Sequence, residues 1–143
     1  MSGPPTLRVG IDLVSIDEVA ESVQRFGDRY VTRIYTPHEI ETCRNASAPE
    51  GSEEFAVESL AARFAAKEAA MKVLRPVEIQ LDWRTIELRR TPGGWCEVHL
   101  SGRAADLAVE AGIDELSVSL THEASVAGAV VVGWSTTGEW RDR

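Results

Sequence analysis

Between residues 7 and 14, large apolar side chains occupy every second position of the chain. Such strict alternation is typical of a β-strand that buries one face. We therefore predict a strand over residues 7–14 with its apolar face packed on the core. The apolar face carries Leu7, Val9, Ile11 and Leu13, and the opposite face carries Arg8, Gly10, Asp12 and Val14.

Capping motifs and helix-forming composition predict the helices of the first half. Ser15, with Glu18 three residues later, predicts a helix to about residue 25 that Gly27 ends. Thr36, with Glu39 three residues later, predicts a second, short helix. Residues 55–74 contain neither glycine nor proline and are rich in good helix formers, so we predict the longest helix there.

The second half reads as two hairpins with a helix between them. Strand-like runs at residues 85–90 and 95–100 flank a Pro-Gly-Gly turn and predict the first hairpin. A helix is predicted to begin at residue 101 or 102 and to end before Gly112.

The second hairpin is predicted from strands at residues 116–121 and 126–134, with a turn at residues 122–125. The last run is apolar at nearly every position, which indicates a central strand. This order of elements predicts an α+β fold, in which an antiparallel sheet packs against a long central helix and shorter helices.

Length and hydrophobic content point to a single domain. With 143 residues, 43% of them hydrophobic, the chain can bury one core, and we treat residues 1–143 as one domain. Residues 1–6 and 135–143 are expected to be loose termini. Residues 45–53, rich in Ser, Pro, Gly and Glu, are expected to form a mobile loop.

Charge and cysteine usage narrow the partners and the location. The formal net charge of −8 argues against nucleic-acid binding, which needs clustered Lys and Arg to neutralise phosphates. Cys43 and Cys96 lack CxxC spacing, so we expect free thiols in a reducing compartment. No signal-peptide pattern opens the chain, and no apolar stretch approaches the ~20 residues that span a bilayer. We therefore expect a cytoplasmic protein with no membrane partner.

Two carboxylates lie where apolar residues are expected. Glu68 falls on the apolar stripe of the long helix, and Asp12 lies within the alternation of the first strand. Buried carboxylates need a cation or many hydrogen bonds. If the two side chains converge, their oxygens suit Mg²⁺. Alternatively, Glu68 forms an ordinary pair with Lys72 four residues later.

Other polar residues have both a functional and a structural reading. His122, in the predicted turn, is either a ligand-binding residue or an exposed structural one. Arg63 and Lys67 lie four residues apart on the long helix, and the structural reading of this pair is a solvated face. Without further information, the residues support a compact acidic domain with a metal and phosphate site.

Three segments, in this order, resemble the holo-acyl-carrier-protein synthase family of phosphopantetheinyl transferases. They are VGIDLV at residues 9–14, ARFAAKEAAMK at residues 62–72 and VSLTHE at residues 118–123. The second segment is highly specific, and the resemblance covers roughly residues 7–134. It implies an enzyme that moves the 4′-phosphopantetheine arm of coenzyme A to a serine of an apo acyl (or peptidyl) carrier protein and releases 3′,5′-ADP.

The resemblance also implies roles for individual residues. Asp12 and Glu68 would ligate Mg²⁺, and Glu68 or a water on the metal would accept the proton of the carrier serine. Lys72 would donate to the phosphates. The nucleotide end of coenzyme A would be held by three polar side chains, Arg63, Ser119 and His122. The family further implies a homotrimer with active sites between subunits.

The chain departs from the family pattern at two places. Family members usually have a glycine-containing loop after the long helix, whereas residues 73–78 contain no glycine. The first helix is acidic where the family often has arginines that dock an acidic carrier protein. Either a basic patch of Arg25, Arg29 and Arg33 replaces them, or the partner is less acidic, and we predict the latter.

Two other functions fit parts of the sequence. A non-catalytic module that binds coenzyme A or a carrier protein would share the fold, but it would not need Asp12, Glu68 and Lys72 together. A Mg²⁺-dependent phosphohydrolase would use the carboxylates, but it does not account for the segment at residues 62–72.

Overall fold

The computed structural model describes residues 6–45 and 54–135. These residues form five strands, five α-helices and one 3₁₀ turn. In chain order they are β1 Thr6–Ser15, α1 Ile16–Phe26, α2 Asp28–Ile34, α3 Pro37–Thr42, α4 Val57–Leu74, the 3₁₀ turn Trp83–Thr85, β2 Ile86–Arg90, β3 Cys96–Leu100, α5 Gly102–Ala111, β4 Glu115–Glu123 and β5 Val126–Ser135.

The predicted loose segments fall mostly outside the described residues. Thr6 and Ser135, which we expected in the termini, pair with each other at the ends of β1 and β5. Asn45, expected in the loop, donates its backbone N–H to the Glu54 carbonyl. The predictions for residues 1–5, 46–53 and 136–143 concern residues that are not described.

The residues predicted to cap the first helices do so, although at α1 only the Ser15 half of the predicted capping box is seen. The Ser15 hydroxyl accepts a hydrogen bond from the Glu18 backbone N–H, and Gly27 ends α1 with a φ of 55°. At α3 the full capping box forms, since the Thr36 side chain accepts from the Glu39 backbone and the Glu39 side chain accepts from the Thr36 backbone. Helix α2 was not predicted.

The fold is α+β, as predicted. Strand β5 lies between β1 and β4 in a three-stranded antiparallel sheet, which confirms it as the central strand. Strands β2 and β3 form a separate antiparallel hairpin. Helix α4 packs across β1, β5 and β4, and it also contacts α1, α5 and β2. It is therefore the central element of the molecule.

The prediction of which β1 face is buried was wrong. Leu7, Val9, Ile11 and Leu13 are 59–70% exposed, whereas Arg8 and Gly10 are buried. The cause is the close approach of β1 to α4, because a Cβ on Gly10 would lie 2.0 Å from the Ala69 carbonyl oxygen. A glycine at this position lets the two backbones meet. The polar face of β1 therefore turns inward and its apolar face turns outward.

Helix α4 differs from the prediction at its first turn and in its surroundings. It begins at Val57 rather than at residue 55, and it ends at Leu74. Arg75 then adopts the left-handed conformation, with a φ of 52°, at a position where glycine is favoured. Arg63 and Lys67 are 6% and 0% exposed, so the solvated-face reading of this pair was wrong.

Candidate active site

Asp12 lies on the inward face of β1, two residues after Gly10 and opposite Ala129 of β5. Its side chain is 16% exposed. The Oδ1 atom accepts a hydrogen bond of 3.2 Å from the Lys72 Nζ, whereas the buried Oδ2 atom has no hydrogen-bond donor among the described residues. An unsatisfied buried carboxylate oxygen is costly unless a cation or a donor reaches it.

Glu68 faces Asp12 from α4. Burial raises the pKa of Glu68 to about 7, and the adjacent Asp12 carboxyl adds to this by sharing a hydrogen bond and by charge repulsion. The Lys72 ammonium acts in the opposite direction. The strand and the helix therefore bring the two predicted carboxyl groups together, at a site where two negative charges repel each other.

Lys72 completes this cluster from one turn further along α4. Its Nζ donates to the Ile11 carbonyl at 2.6 Å and to Asp12. The ion pair that it forms is thus with Asp12, not with Glu68 as in the simple helical alternative. Its side chain is 54% exposed, so solvent and ligands can reach it.

The donor set fits a hard divalent cation. Asp12 and Glu68 supply two carboxylates, and one buried oxygen has no partner. Mg²⁺ typically takes one or two carboxylates and completes its shell with water and substrate phosphates. Groups of three or more His, Cys, Asp or Glu side chains that could hold a metal are absent from the described residues.

The three residues expected at the nucleotide end of coenzyme A lie at separate places. Arg63 is five residues before Glu68, so it points about 140° away around α4, where its Nη1 donates to the Ser59 carbonyl. Ser119 of β4 aligns with Ile11 through Val130, on the outward face of the sheet. It therefore lies on the opposite face from Asp12.

His122 lies at the end of β4 rather than in the turn that we predicted. It pairs with Ala127, which pairs with Val14. Because directly opposed residues share a face, His122 is on the Asp12 side of the sheet, and it is exposed. The connection to β5 is shorter than predicted and consists of Ala124, with a φ of 55°, and Ser125.

The sequence did not predict a second charged cluster, which Lys67 of α4 forms with Glu39 of α3. The Lys67 Nζ lies 2.7 Å from the Glu39 Oε1, and both side chains have zero exposure. The capping box identified Glu39 only as a partner of its own helix. Lys67 gave no signal of its own, because a lysine in a helix is usually solvated.

The fold and the site define a class of protein: a small α+β protein in which two carboxyl groups and a lysine meet where the first strand packs on the central helix. Residues 8–130 match the sequence profile of the 4′-phosphopantetheinyl transferase superfamily. The chain belongs to this superfamily, which confirms the resemblance stated above.

Two relatives of the chain share the same description. A holo-[acyl-carrier-protein] synthase of Koribacter versatilis is 42% identical over 127 residues, which cover 88% of this chain and 96% of the relative. A second one, from Desulforudis audaxviator, is 40% identical and covers 89% and 93% of the two chains.

Solved structures agree with this family. The holo-[acyl-carrier-protein] synthase of Helicobacter pylori in complex with coenzyme A superposes with a TM-score of 0.73 at 31% identity, covering 88% of this chain and 99% of the other. A coenzyme A complex from Chronobacterium ammoniagenes gives a TM-score of 0.76 at 28% identity, covering 96% and 99%. Among the described residues, the helices are too short or too polar to cross a membrane.

Proposed function

We propose that this chain transfers the 4′-phosphopantetheine arm of coenzyme A to a serine hydroxyl of an apo acyl carrier protein or carrier domain, with release of 3′,5′-ADP. One observation carries the proposal: Asp12, Glu68 and Lys72 meet at the junction of β1 and α4. They do so in a chain of the 4′-phosphopantetheinyl transferase superfamily.

Glu68 is the proposed general base. The carrier serine oxygen forms a bond to the phosphorus that bears the pantetheine arm, the bond from that phosphorus to the ADP oxygen breaks, and the serine proton moves to the Glu68 carboxylate. A base is most effective when its pKa lies near the working pH. Burial and Asp12 raise the pKa of Glu68 to about 7 in the metal-free chain, and a bound cation would lower this pKa and keep the carboxylate ionised, ready to accept the proton.

Lys72 is proposed to bind the phosphates. Two of its three N–H groups are used by the Ile11 carbonyl and Asp12, so a third can donate to the pyrophosphate. A lysine there also offsets the negative charge on the departing ADP.

Mg²⁺ is the proposed cofactor, held by Asp12 and Glu68. When bound, it would neutralise the two carboxylates and the charge that builds up on the pyrophosphate. The Asp12 Oδ2, which has no donor among the described residues, supports this assignment. Arg63, Ser119 and His122 remain the proposed ligands of the nucleotide end.

The active unit is proposed to be a homotrimer. The exposed aliphatic side chains of β1 form one face, and a continuous apolar surface of this kind marks an interaction site. Ser119 lies on that face, and it lines a cavity of about 180 Å³ with Ile11 and Leu13. If Ser119 binds coenzyme A, it must serve the Asp12–Glu68 site of another copy, because its own lies behind the sheet.

The subunit contact can be tested by replacing Ile11 with glutamate. Light scattering after gel filtration should then report a lower mass, and transfer should be lost while the circular dichroism spectrum is retained. Val109→Glu is the matched control, since Val109 is 71% exposed on α5, away from this face. An unchanged mass for Ile11→Glu would refute the contact.

Carrier docking is proposed at a groove beside α2. Arg29 and Arg33 lie one turn apart and are both exposed. They line a cavity of about 470 Å³ together with the aromatic side chains Phe26, Tyr30 and Trp83. This supports the basic-patch alternative for an acidic carrier. The less acidic partner, which is the alternative to this patch, stays an untested prediction, as does the cytoplasmic location.

The function is tested by incubating the chain with apo-acyl carrier protein, coenzyme A and Mg²⁺, followed by mass spectrometry of the carrier. A gain of one phosphopantetheine is expected. Hydrolysis of coenzyme A without any gain would support a phosphohydrolase. Binding without either reaction would support a non-catalytic module.

A further inference from the structure

The Glu39–Lys67 pair is the one ion pair among the described residues in which both side chains have zero exposure. Its hydrogen bonds are complete. The Lys67 Nζ donates to Glu39 Oε1 and to the carbonyls of Trp83 and Ile86. Glu39 also accepts from the backbone N–H of Thr36 at 2.9 Å and of Leu88 at 2.8 Å.

These bonds join four parts of the fold. Glu39 belongs to α3, and Lys67 belongs to the middle of α4. Trp83 begins the 3₁₀ turn, and Ile86 and Leu88 belong to β2. A single buried cluster therefore ties the central helix to the elements on the side away from β1.

On the side of α4 away from β1, the middle of the helix has few large side chains besides Lys67 that fix its rotation, apart from Arg63 and from Phe64, whose ring packs on Trp83. The other buried side chains there are small, namely Ala61, Ala62, Ala65, Ala66, Ala69 and Ala70. The large aliphatic ones, Leu60, Val73 and Leu74, lie nearer the ends. Interlocking of side chains between packed elements depends on their size and shape, and alanines provide little of it.

Rotation of α4 controls the position of Glu68, which directly follows Lys67. With side chains reaching about 6 Å from the helix axis, a turn of about 10° moves a carboxyl group by about 1 Å. A shift of about 1 Å at a reacting group can cost about 10²-fold in rate. We infer that the Glu39–Lys67 pair positions Glu68, by holding α4 at the rotation at which the Glu68 carboxyl faces Asp12.

A purely stabilising role is the weaker explanation. Replacing both partners of a buried ion pair by apolar groups is often neutral or stabilising, and the best-attested use of such pairs is to set register. The inference rests on the proposed function for its kinetic consequences, but its consequence for metal binding can be measured independently.

The test compares Glu39→Gln, Lys67→Met and the double variant with the wild-type chain. Removing both charges should bring the melting temperature of the double variant closer to wild type than that of Lys67→Met. Mn²⁺ serves as a spectroscopic substitute for Mg²⁺, and its binding is measured by the electron paramagnetic resonance signal of the free ion. The double variant should bind Mn²⁺ about tenfold more weakly than the wild type. Its kcat should fall by about 10²-fold while the KM for the carrier protein stays within twofold.

The matched control is Leu107→Ala, which removes a fully buried side chain of α5 outside both clusters. It should lower the melting temperature without changing Mn²⁺ affinity by more than about twofold. The inference is overturned if the double variant binds Mn²⁺ as the wild type does, or if its Mn²⁺ affinity falls no further than that of Leu107→Ala.

Two arrangements keep the outcome decisive. If the double variant does not fold, Glu39→Gln alone carries the Mn²⁺ test, because its side-chain oxygen can keep one of the backbone hydrogen bonds. If the wild-type chain binds Mn²⁺ but transfers nothing, the proposed function fails, while the Mn²⁺ comparison still decides on positioning.

Discussion

Helix α4 contributes to a cluster of carboxyl and lysine side chains on each of two sides, and the two clusters differ in exposure, in charge balance and in hydrogen bonding. On one side, Glu39 and Lys67 are fully buried, oppositely charged and completely hydrogen-bonded. On the other side, Asp12 and Glu68 are two like charges, one oxygen has no donor among the described residues, and Lys72 is half exposed. The first arrangement is satisfied by the fold itself, whereas the second leaves a buried carboxylate oxygen for which the described residues supply no donor.

The comparison shows how to separate structural charges from functional ones. Both clusters place a carboxylate inside the molecule, and burial alone does not distinguish them. What distinguishes them is the balance of donors and acceptors. In a ligand site, some charged or polar atoms have no partner in the protein until the ligand binds.

The largest expected effect is the loss of transfer in Glu68→Gln. The substitution keeps the shape of the side chain but removes the base and one charge, so the rate should fall by about 10³-fold. Mass spectrometry of the carrier protein measures it. Glu58→Gln makes the same change at an exposed position of the same helix and should leave the rate unchanged. Retained activity in Glu68→Gln would remove Glu68 from the mechanism.

The next largest effect is a loss of stability, and we expect it when the Glu39–Lys67 pair is broken. Lys67→Met leaves Glu39 buried without a cation and should lower the free energy of unfolding by about 3–5 kcal/mol. Urea denaturation measures the loss. Lys72→Met, one turn and one residue further along α4, should cost less than about 1 kcal/mol but should slow transfer. Equal losses of stability in the two variants would contradict the distinction.

A pH dependence of stability should come from Glu68 in the metal-free chain. Its pKa is raised from 4.5 to about 7 on folding, so the folded chain binds this proton more tightly than the unfolded chain. The resulting contribution to stability is complete below pH 4.5 and is lost as the pH rises through about 7. Urea midpoints in EDTA should therefore decline over this range more in the wild type than in Glu68→Gln.

Mg²⁺ should reverse that decline, since it binds the ionised carboxylates. Adding it at about pH 8 should raise the urea midpoint of the wild type and leave that of Glu68→Gln nearly unchanged. If the urea midpoints of the wild type and of Glu68→Gln in EDTA fell in parallel with pH, the pKa of Glu68 would not be raised.

The smallest expected effect concerns the C-terminal end of α4, the helix that contributes to both clusters. Arg75 has a φ of 52°, so Arg75→Gly should stabilise the chain by up to about 1 kcal/mol. Thermal unfolding measures the gain. Gly112, with a φ of 74° after α5, offers the mirror experiment: Gly112→Ala should destabilise by a similar amount. A loss of stability in Arg75→Gly would mean that its side chain contributes more than its backbone costs.

Most helix ends were predictable because their causes are local. The Thr36 and Glu39 capping box and the glycines after α1 and α5 act within a few residues of chain. The 3₁₀ turn that begins at Trp83 and the short helix α2 were both missed, although the Asp82 side chain caps the turn by accepting a hydrogen bond from the Arg84 backbone N–H.

The sequence predicted which residues form the candidate site, but it did not predict which of them contact each other. Asp12, Glu68 and Lys72 were recognisable because charged residues interrupt apolar patterns, and because the segment at residues 62–72 resembles a known family. The structure decided that Lys72 bonds Asp12 and Ile11, and that Ser119 lies on the far face of the sheet.

What the sequence determined by itself was therefore the set of local elements, their order and the residues that are chemically out of place, since periodicity, caps and composition act over short stretches of chain. Only the tertiary structure decided which face of β1 meets α4 and which charges are neighbours. The physical reason is that alternation shows that a strand has two different faces, but it does not show which of them the rest of the chain will cover. Here Gly10 has no side chain, so β1 can pack its polar face closely against α4, and Asp12 is turned inward as a result.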